Sequence, residues 1–249
     1  MREGGPTVND GSCSSESPIG QMFDRIAPTY DLLNYVLSFG RDYSWRRKVA
    51  GQISREPPVC VLDLATGTGD LLIALLRACP NIAEAAGLDI SENMLGICRE
   101  KLRRRGLADR ARLVCADASA TPFPEGTFDV VTMGFGIRNT PDVSATLREI
   151  HRVLKPGGVA TILEFSLPRQ RAVRWCYLKH LRYVVPFVGA LISRDRHAYR
   201  YLDESIERFC SAEGLASCMR VAGFRDVSAT PLTFGVASIY RGRKDPVCE

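Results

Sequence analysis

The stretch VCVLDLATGTGDLLIALL, Val59–Leu76, decides the fold of this chain. It begins with an apolar run, rich in valine and leucine, that predicts a buried strand ending at Leu64. Gly67 and Gly69 then permit a tight turn, and the segment after Asp70 has the apolar spacing of an amphipathic helix. A strand, a glycine turn and a helix in this order predict the first βα unit of a parallel sheet.

Strand and helix patterns continue to alternate after this unit. The further strand patterns lie at residues 84–90, 111–117, 127–136 and 159–166. Ser91 and Asp142 are placed to begin helices, and Gly106 and Pro156–Gly158 to end them. After a last helix at 212–223, two strands follow with a short link, which predicts antiparallel pairing. The sequence therefore predicts an α/β fold, Rossmann-like and doubly wound, with a mostly parallel seven-stranded sheet and an antiparallel last strand.

The 249 residues are expected to form a single domain, 19–249, after a tail at 1–18. The tail is rich in glycine and serine and has no apolar block, so we expect it to be disordered. Residues 19–56 space apolar side chains at helical intervals, which predicts a helical cap. Residues 168–209 mix arginine, lysine and aromatic residues and fit neither pattern. We expect them to form a helical lid insertion over the carboxyl ends of the strands.

Composition limits the class of protein. The nine cysteines are scattered and contain no C-x-x-C pair, which favours a reducing compartment and disfavours a disulfide framework or a zinc site. No metal site is predicted. No apolar run approaches the roughly 20 residues that span a bilayer, so the expected location is the cytoplasm. The net charge of +5 is too small to indicate a nucleic-acid partner.

Aspartates end three successive predicted strands, at Asp63, Asp89 and Asp117. Asp63 suits an ammonium group, Asp89 suits the two hydroxyls of a ribose, and Asp117 suits the exocyclic amine of an adenine. S-adenosylmethionine carries these three groups and no phosphate. The G-x-G-x-x-G pattern of dinucleotide enzymes is absent, which agrees with such a ligand. Each aspartate taken singly is better explained as a cap of a turn or helix.

Several signatures give the chain a specific resemblance. They are YDLLN at 30–34 with Leu37–Ser38 and Trp45, FGIRN at 135–139, RVLKPGG at 152–158, EFS at 164–166, and GVASIYRGRK at 235–244. From about residue 21 onwards the sequence resembles the class I S-adenosylmethionine-dependent methyltransferases, and more narrowly the UbiE-type C-methyltransferases of ubiquinone and menaquinone biosynthesis. Leu33 and Asp42 depart from that family, which usually has Met and His there. We therefore assign no catalytic role to position 42.

The resemblance implies a methyltransferase domain with S-adenosyl-L-methionine as its cofactor. Positions that match the family's cofactor contacts are Thr68, Asp89, Asp117, Ala118 and Gly134. Relatives often have serine at the position of Gly134, so a side-chain hydrogen bond is missing there. The strand-end and glycine-loop arguments add Asp63, Gly67 and Gly69 to the predicted cofactor-binding residues.

The resemblance also implies methylation of a ring carbon of a prenylated quinol, from demethylmenaquinol to menaquinol. That carbon becomes nucleophilic when an adjacent ring hydroxyl loses its proton, and alignment of the reactants supplies much of the rate. The predicted catalytic residues are Arg138 to stabilise an oxyanion or an ordered water, Asn139 to orient it, and Tyr30 and Asp31 to complete the site from the cap. In the alternative reading, Arg138 forms a surface ion pair with Asp142 or Glu149 and Tyr30 is a packed aromatic.

Other functions and partners stay open at this point. The alternatives are the equivalent benzoquinol step of ubiquinone biosynthesis, another small-molecule methyltransferase, and an RNA- or protein-binding module without catalysis. A prenylated substrate implies a nearby membrane, and the basic and aromatic residues of 168–192 fit peripheral contact with the inner membrane face. A solvated basic helix explains the same residues. A homodimer is the remaining expected partner.

Overall fold

A seven-stranded β-sheet forms the centre of the protein in this computed structural model. The structure describes residues 18–53, 56–185, 205 and 212–246. Residues 1–17 of the predicted tail, and residues 186–204 and 206–209 of the predicted lid, lie outside the described residues.

The strands follow the predicted alternation. They are β1 (Val59–Leu64), β2 (Ile82–Asp89), β3 (Arg112–Cys115), β4 (Phe128–Gly134), β5 (Leu154–Phe165), β6 (Arg225–Leu232) and β7 (Ala237–Arg243). Their order across the sheet is β3-β2-β1-β4-β5-β7-β6. The pairs from β3 to β5 are parallel, and β7 is antiparallel to both β5 and β6. The predicted fold class, including the antiparallel last strand, is confirmed.

Helices cover both faces of this sheet. They are α1 (Pro18–Ile26), α2 (Tyr30–Leu37), α3 (Asp42–Ala50), α4 (Asp70–Ala78), α5 (Glu92–Arg104), α6 (Val143–Val153), α7 (Arg171–Lys179) and α8 (Ala212–Val221). Val61 of β1 belongs to a core cluster with residues of α1, α3, α4 and α5, whereas Leu62 and Leu64 belong to a cluster with residues of α6 and α8. Burial on both faces explains the nearly continuous apolar run of β1.

Two helix starts agree with the sequence, and one helix end does not. The Ser91 hydroxyl accepts a hydrogen bond from the Met94 amide at 3.1 Å, and the Asp142 carboxylate accepts from the Ser144 amide at 2.8 Å. Pro156–Gly158 was expected to end α6, but α6 ends at Val153 and β5 already begins at Leu154. Leu154 pairs with Phe128 of β4, and the Gly158 carbonyl accepts from the Lys244 amide at 2.9 Å, so pairing on both sides makes this segment a strand. That long-range pairing is not encoded locally.

The three helices before β1 form the N-terminal cap, and α3 packs it onto the sheet. Trp45 is 1 % exposed and packs beside the stacked rings of Phe135 and Phe165, with centroid distances of 6.2 Å to each. Its indole Nε1 donates to the Thr233 hydroxyl at 3.0 Å. Burial of an indole with its N–H satisfied makes Trp45 an anchor of the cap.

The cysteines differ in part from expectation. Cys60, Cys79, Cys98, Cys176 and Cys218 form no disulfide bond. Cys115 is disulfide-bonded, which the argument from cysteine spacing against disulfides did not anticipate. Within the described part of the chain, no helix combines the length and apolarity needed to cross a membrane.

Candidate active site

The main cavity lies at the carboxyl ends of the parallel strands, against the cap. Its volume is about 370 Å³, which is within the usual range for small-molecule sites. The sheet side contributes Ala65, Gly67, Leu88, Asp89, Ile90, Ala116, Asp117, Ala118, Phe135, Gly136, Asn139, Thr140 and Pro141; α5 contributes Met94; and the cap contributes Pro18, Ile19, Phe23 and Tyr30. A cavity at this edge is where parallel α/β sheets bind ligands.

The glycine loop after β1 brings backbone to the cavity. Gly67 lines the cavity and has a φ of +56°, and its amide donates to Asp89 Oδ2 at 2.7 Å. Gly69 has a φ of +84° and does not line the cavity. A side chain at Gly69 would collide with Cys98 Sγ of α5. Gly67 is therefore placed to contact a ligand, whereas Gly69 permits close packing of α5.

Asp89 ends β2 and presents its carboxylate to the cavity. In addition to the Gly67 amide, it accepts a hydrogen bond from the Ser91 amide at 3.0 Å through Oδ1. Burial raises the pKa of Asp89 to about 6, although these amides favour the charged form. Each carboxylate oxygen has two lone pairs, so Asp89 retains capacity to accept hydroxyl donors from a ligand.

Asp63 ends β1 but faces a second, smaller cavity. Its oxygens accept hydrogen bonds from the Thr132 hydroxyl at 2.6 Å and the Thr66 hydroxyl at 2.7 Å. The side chain is fully buried, and burial raises the pKa of Asp63 to about 6. The two threonines hold the carboxylate in place between β1 and β4.

Asp117 and Ala118 follow β3 and line the main cavity together. Asp117 Oδ1 accepts from both the amide and the hydroxyl of Ser119 at 2.7 Å. The three strand-end aspartates predicted from the sequence therefore lie at one edge of the sheet, but they line two cavities. Asp89 and Asp117 also accept from the backbone amides of Ser91 and Ser119, as the capping alternative expected, whereas among the described residues Asp63 accepts only from threonine hydroxyls.

The segment after β4 combines strain with close packing. Phe135 has a φ of +58°, which is rare for a residue with a side chain and concentrates at functional sites. Gly134 lines the small cavity, and a side chain there would contact Leu71 at 3.1 Å. A side chain at Gly136 would meet the Ala65 Cβ at 2.6 Å. The two glycines are thus explained by lack of space, and the left-handed conformation falls on the residue between them.

Arg138 lies on a 3₁₀ turn after β4, and its side chain is 1 % exposed. Nη1 donates to Glu164 Oε1 at 2.6 Å and to the Phe135 carbonyl at 2.8 Å. The described contacts thus pair Arg138 with buried Glu164, and not with Asp142 or Glu149 at the surface. Burial raises the pKa of Glu164, and the charge of Arg138 opposes that rise. Arg138 Nη2 is buried and has no hydrogen-bond partner among the described residues.

Asn139 lines the main cavity directly. Its Nδ2 donates to the Phe135 carbonyl at 3.2 Å, while Oδ1 is buried without a hydrogen-bond partner in the described part of the chain. A buried acceptor without a partner is unfavourable by about 1–3 kcal/mol unless a ligand or water satisfies it. Asn139 therefore combines a place in the cavity lining with an acceptor that no described residue satisfies.

Tyr30, the first residue of α2, lines both cavities. Burial raises the pKa of its phenol, whereas the charge of Arg138, a hydrogen bond with the Asn34 side chain and the charge of Arg46 lower it. Tyr30 is therefore a buried residue shared by the two cavities, and its catalytic role stays a prediction.

Asp31 and Thr68 lie outside the main cavity and contact each other. Asp31 Oδ1 accepts from the Thr68 hydroxyl at 2.5 Å, and Oδ2 pairs with Lys101 Nζ at 2.6 Å. Lys101 also pairs with Asp70 at 2.7 Å. Thr68 lines the small cavity, whereas Asp31 lines neither cavity. A catalytic role for Asp31 stays a prediction from the sequence; in the structure it fastens α2 to the glycine loop and to α5.

Arg46 of α3 is a site residue that the sequence did not single out. It is 6 % exposed and lines the small cavity, opposite in charge to Asp63. Asp42 pairs with Arg46 Nη1 and also accepts from the Ser38 hydroxyl at 3.2 Å. Arg46 lies in the run WRRK, next to exposed Arg47. Only the helical phase distinguishes the two arginines, because Arg46 shares the buried face of α3 with Trp45 and Val49.

Most of the chain is similar to proteins of one known family. The model of the ubiE/COQ5 methyltransferase family matches residues 12–244. A demethylmenaquinone methyltransferase of Thermus thermophilus is 48 % identical over 89 % of this chain and 99 % of its own length. The ubiquinone/menaquinone biosynthesis C-methyltransferase UbiE of Geobacter sulfurreducens is 45 % identical over 91 % of this chain and 88 % of its own.

Solved structures resemble the fold at low identity. A SAM-dependent methyltransferase of Thermotoga maritima has a TM-score of 0.63 at 20 % identity, covering 91 % of this chain and 100 % of that one. The [4+2]-cyclase SpnF has a TM-score of 0.66 at 21 % identity, covering 92 % and 96 %. These likenesses concern the fold, because a shared fold does not fix the chemistry.

Proposed function

The chain belongs to the ubiE/COQ5 methyltransferase family, and from this we propose that it methylates a ring carbon of a prenylated quinol, converting demethylmenaquinol to menaquinol. The observation that carries the proposal is the 48 % identity, over 99 % of its length, to a relative named demethylmenaquinone methyltransferase. S-adenosyl-L-methionine is the cofactor, and it supplies the methyl group when bound. The proposed unit is the methyltransferase domain at 19–249 with its cap and lid.

The residues of the main cavity fit the nucleoside part of this cofactor. Asp89 is placed to accept the ribose hydroxyls, and Asp117 with Ala118 to contact the adenine. Gly67 and Gly136 line the same cavity. The fit supports these assignments through the chemistry of the groups, because the lining carboxylates are acceptors and would repel a phosphate.

The small cavity fits the amino-acid part in charge. Asp63 and Arg46 are of opposite sign, as a zwitterionic α-amino acid requires, and Thr68 and Gly134 lie beside them. The cavity has a volume of about 10 Å³, room for one water. Binding must therefore widen it, and Tyr30 and Arg46 are the walls that belong to the cap. We infer that the cap moves when the cofactor enters.

The catalytic assignments follow from the positions of three polar groups. The Asn139 Oδ1 acceptor can receive the hydrogen bond of a ring hydroxyl. Arg138, held by Glu164, supplies positive charge that favours a phenolate over a phenol. Arginine is a poor base, so its role is electrostatic. Tyr30 lines the cavity, and we assign it the task of passing on or orienting the proton.

Methyl transfer to a defined quinol tests the proposal. The purified protein is incubated with S-adenosylmethionine carrying a labelled methyl group and with reduced demethylmenaquinone in detergent. We expect label in the quinol and a product heavier by one methylene group. Absence of transfer, with cofactor binding intact by calorimetry, would refute the proposed substrate.

The benzoquinol step of ubiquinone biosynthesis is the second candidate. The Geobacter relative supports it, because its name covers both ubiquinone and menaquinone biosynthesis. Incubation with the corresponding demethylated benzoquinol, side by side with the naphthoquinol, measures the ratio of kcat/KM values. A higher kcat/KM for the benzoquinol than for the naphthoquinol would make the benzoquinol step the preferred function.

Partners and location complete the proposal. Residues 168–192 are proposed to touch the inner membrane face from the cytoplasm, where a prenylated substrate is found. Within this range the structure describes 168–185. Arg171, Arg174 and Lys179 of α7 are exposed, in support of such a contact. A homodimer remains a prediction, which light scattering of the purified protein checks.

A further inference from the structure

Exposed apolar side chains are concentrated on two neighbouring segments. Nine large hydrophobic residues are exposed in the described part of the chain, and seven of them lie on residues 32–43 or 175–184. They are Leu32, Tyr35, Phe39 and Tyr43 from the cap and Trp175, Tyr183 and Val184 from α7 and the π-helical turn after it. Their exposed fractions run from 42 to 63 %. A contiguous group of this kind marks an interaction site, whereas single exposed residues do not.

Direct contacts join the two segments into one surface. The Phe39 ring stacks on His180 at a centroid distance of 4.0 Å and lies 6.3 Å from the ring of Tyr177. The Val36 carbonyl contacts His180 Nε2 at 3.0 Å. Phe39 has a φ of +53° and is nevertheless 54 % exposed. A strained backbone that holds an aromatic ring at the surface indicates a functional constraint.

The charge of this surface is positive. The two segments and their neighbours carry exposed basic residues: Arg41, Arg47, Lys48, Arg171, Arg174, Lys179 and Arg182. Lys179 Nζ lies 5.7 Å from the Trp175 ring centroid and 5.1 Å from that of Tyr183. No aspartate or glutamate occurs between Ser166 and Val185, and Asp42, the acidic residue within 32–43, is buried. Aromatic and basic residues without exposed acids suit the interface of an anionic bilayer.

We propose that this docking face, formed by residues 32–43 of the cap together with residues 171–184, binds the surface of a bilayer that contains anionic phospholipid. This proposal rests on the proposed function, because a prenylated substrate is the reason that the protein must reach a membrane. It also extends the membrane contact from the lid to the cap. Half of the docking face is the cap. Tyr30 begins α2, the same helix that carries Leu32 and Tyr35, so docking holds a wall of the active-site cavity against the membrane.

Vesicle binding of the full-length protein tests this directly. The probes are vesicles of phosphatidylcholine and vesicles of an equal mixture of phosphatidylcholine and phosphatidylglycerol, and binding is measured by co-sedimentation. The emission of Trp175 gives a second readout, because Trp175 is 63 % exposed and Trp45 is 1 % exposed. We expect binding and a blue shift with the mixed vesicles, at least about tenfold tighter than with phosphatidylcholine and lost at high salt.

Variants in the cap and in α7 test whether both parts of the docking face bind the membrane or only the lid does. Phe39→Ser in the cap and Lys179→Glu in α7 should each weaken binding to the mixed vesicles by about tenfold. Phe234→Ser is the matched control, because Phe234 is 76 % exposed and lies outside the docking face. It should bind as the parent protein does. Equal binding of Phe39→Ser and the parent protein would overturn the contribution of the cap.

Other results would overturn the proposal as a whole. Equal binding to both vesicle types would exclude the anionic lipid. A dimer in light scattering that dissociates on Phe39→Ser would assign the docking face to a second copy of the chain. Methyl transfer to quinol in detergent should be unchanged in Lys179→Glu. If the protein transfers methyl groups but does not bind vesicles, only the docking proposal is refuted. If it binds vesicles but does not transfer methyl groups, only the proposed substrate is refuted.

Discussion

The active-site cavity has two walls that are held in different ways. On the sheet wall, Asp63 is fixed between β1 and β4 by Thr132, and Asp89 is fixed by the Gly67 amide. On the cap wall, side-chain contacts connect the helices to the core. Asp24 of α1 accepts from the Ser91 hydroxyl at 2.5 Å, and Asp31 of α2 contacts Thr68 and Lys101.

The difference indicates that the sheet wall is rigid and that the cap wall can move. Strand ends are rigid because a sheet orders their backbone on both sides, and preorganised groups of this kind suit electrostatic catalysis. Contacts of partly exposed charges, such as those of α1 and α2, are weak and can open, whereas buried Trp45 anchors α3. We therefore expect changes in the sheet wall to alter stability and the chemical step, and changes in the cap wall to alter exchange of the cofactor.

The largest effect is expected when the Arg138–Glu164 pair is broken from the acid side. Glu164→Ala leaves a buried guanidinium without its partner, which should lower the free energy of unfolding by about 3–5 kcal/mol. Urea denaturation measures this. Glu213→Ala is the matched control, because the Arg169–Glu213 pair has exposed fractions of 82 % and 74 %, and we expect no measurable change. Similar losses in both variants would contradict the distinction between buried and exposed pairs.

Arg138→Ala should affect turnover more than stability. Glu164, left without its partner, can take up a proton because burial raises its pKa, whereas a guanidinium cannot neutralise itself. Loss of the positive charge should lower kcat by about 100- to 1000-fold, with cofactor affinity by calorimetry nearly unchanged. Arg148→Ala, an exposed arginine on α6, serves as control. Unchanged turnover would refute the electrostatic role.

Arg46 tests whether the cap wall holds the amino-acid end of the cofactor. Arg46→Gln should weaken S-adenosylhomocysteine binding by about 10- to 100-fold, the loss of one charged hydrogen bond. Binding of methylthioadenosine, which lacks the amino-acid group, should stay the same in calorimetry. Arg47→Gln, the exposed neighbour, should change neither. Equal losses for both ligands would mean that Arg46 only stabilises the fold.

The sheet wall could be predicted from the sequence better than the cap wall. Asp63, Asp89, Asp117 and Gly67 follow apolar strands, and parallel topology brings strand ends together, so local pattern sufficed for their placement. Whether they bind the cofactor stays a prediction.

Residues whose role depends on tertiary contacts were missed. Glu164 acquires its position from Arg138, which is distant in sequence, and Arg46 from the burial of its face of α3. The left-handed backbone at Phe135 had no signal in the sequence. The start of β5 was misplaced because Leu154 pairs with Phe128 and Gly158 pairs with Lys244. The cap was found by helical spacing and by resemblance, but neither could show which of its faces meets the core.

The stability of the free protein and its affinity for the cofactor should change with pH in opposite directions. The pKa values of Asp63 and Asp89 are raised from 3.8 to about 6, so their contribution to stability is present below about pH 4 and is lost as the pH rises through 6. Binding of ammonium and hydroxyl donors favours the ionised carboxylates. Affinity for S-adenosylhomocysteine should therefore fall by about tenfold for each carboxylate and each pH unit below 6. Calorimetry across this range checks it, and a flat profile would contradict the assignment.

The smallest effect is expected at Asp31, and it decides between two roles. Its side chain is 44 % exposed and pairs with Lys101 outside the cavity, so Asp31→Asn should weaken the attachment of the cap by less than about 1 kcal/mol. Dissociation of S-adenosylhomocysteine in stopped flow should become faster by less than about fivefold, with kcat changed by less than about threefold. Lys101→Met and high salt should reproduce the change, since both remove the same pairing. A fall in kcat of about a hundredfold, insensitive to salt, would instead assign Asp31 to catalysis, because loss of a group that acts in the transition state lowers kcat without altering cofactor release.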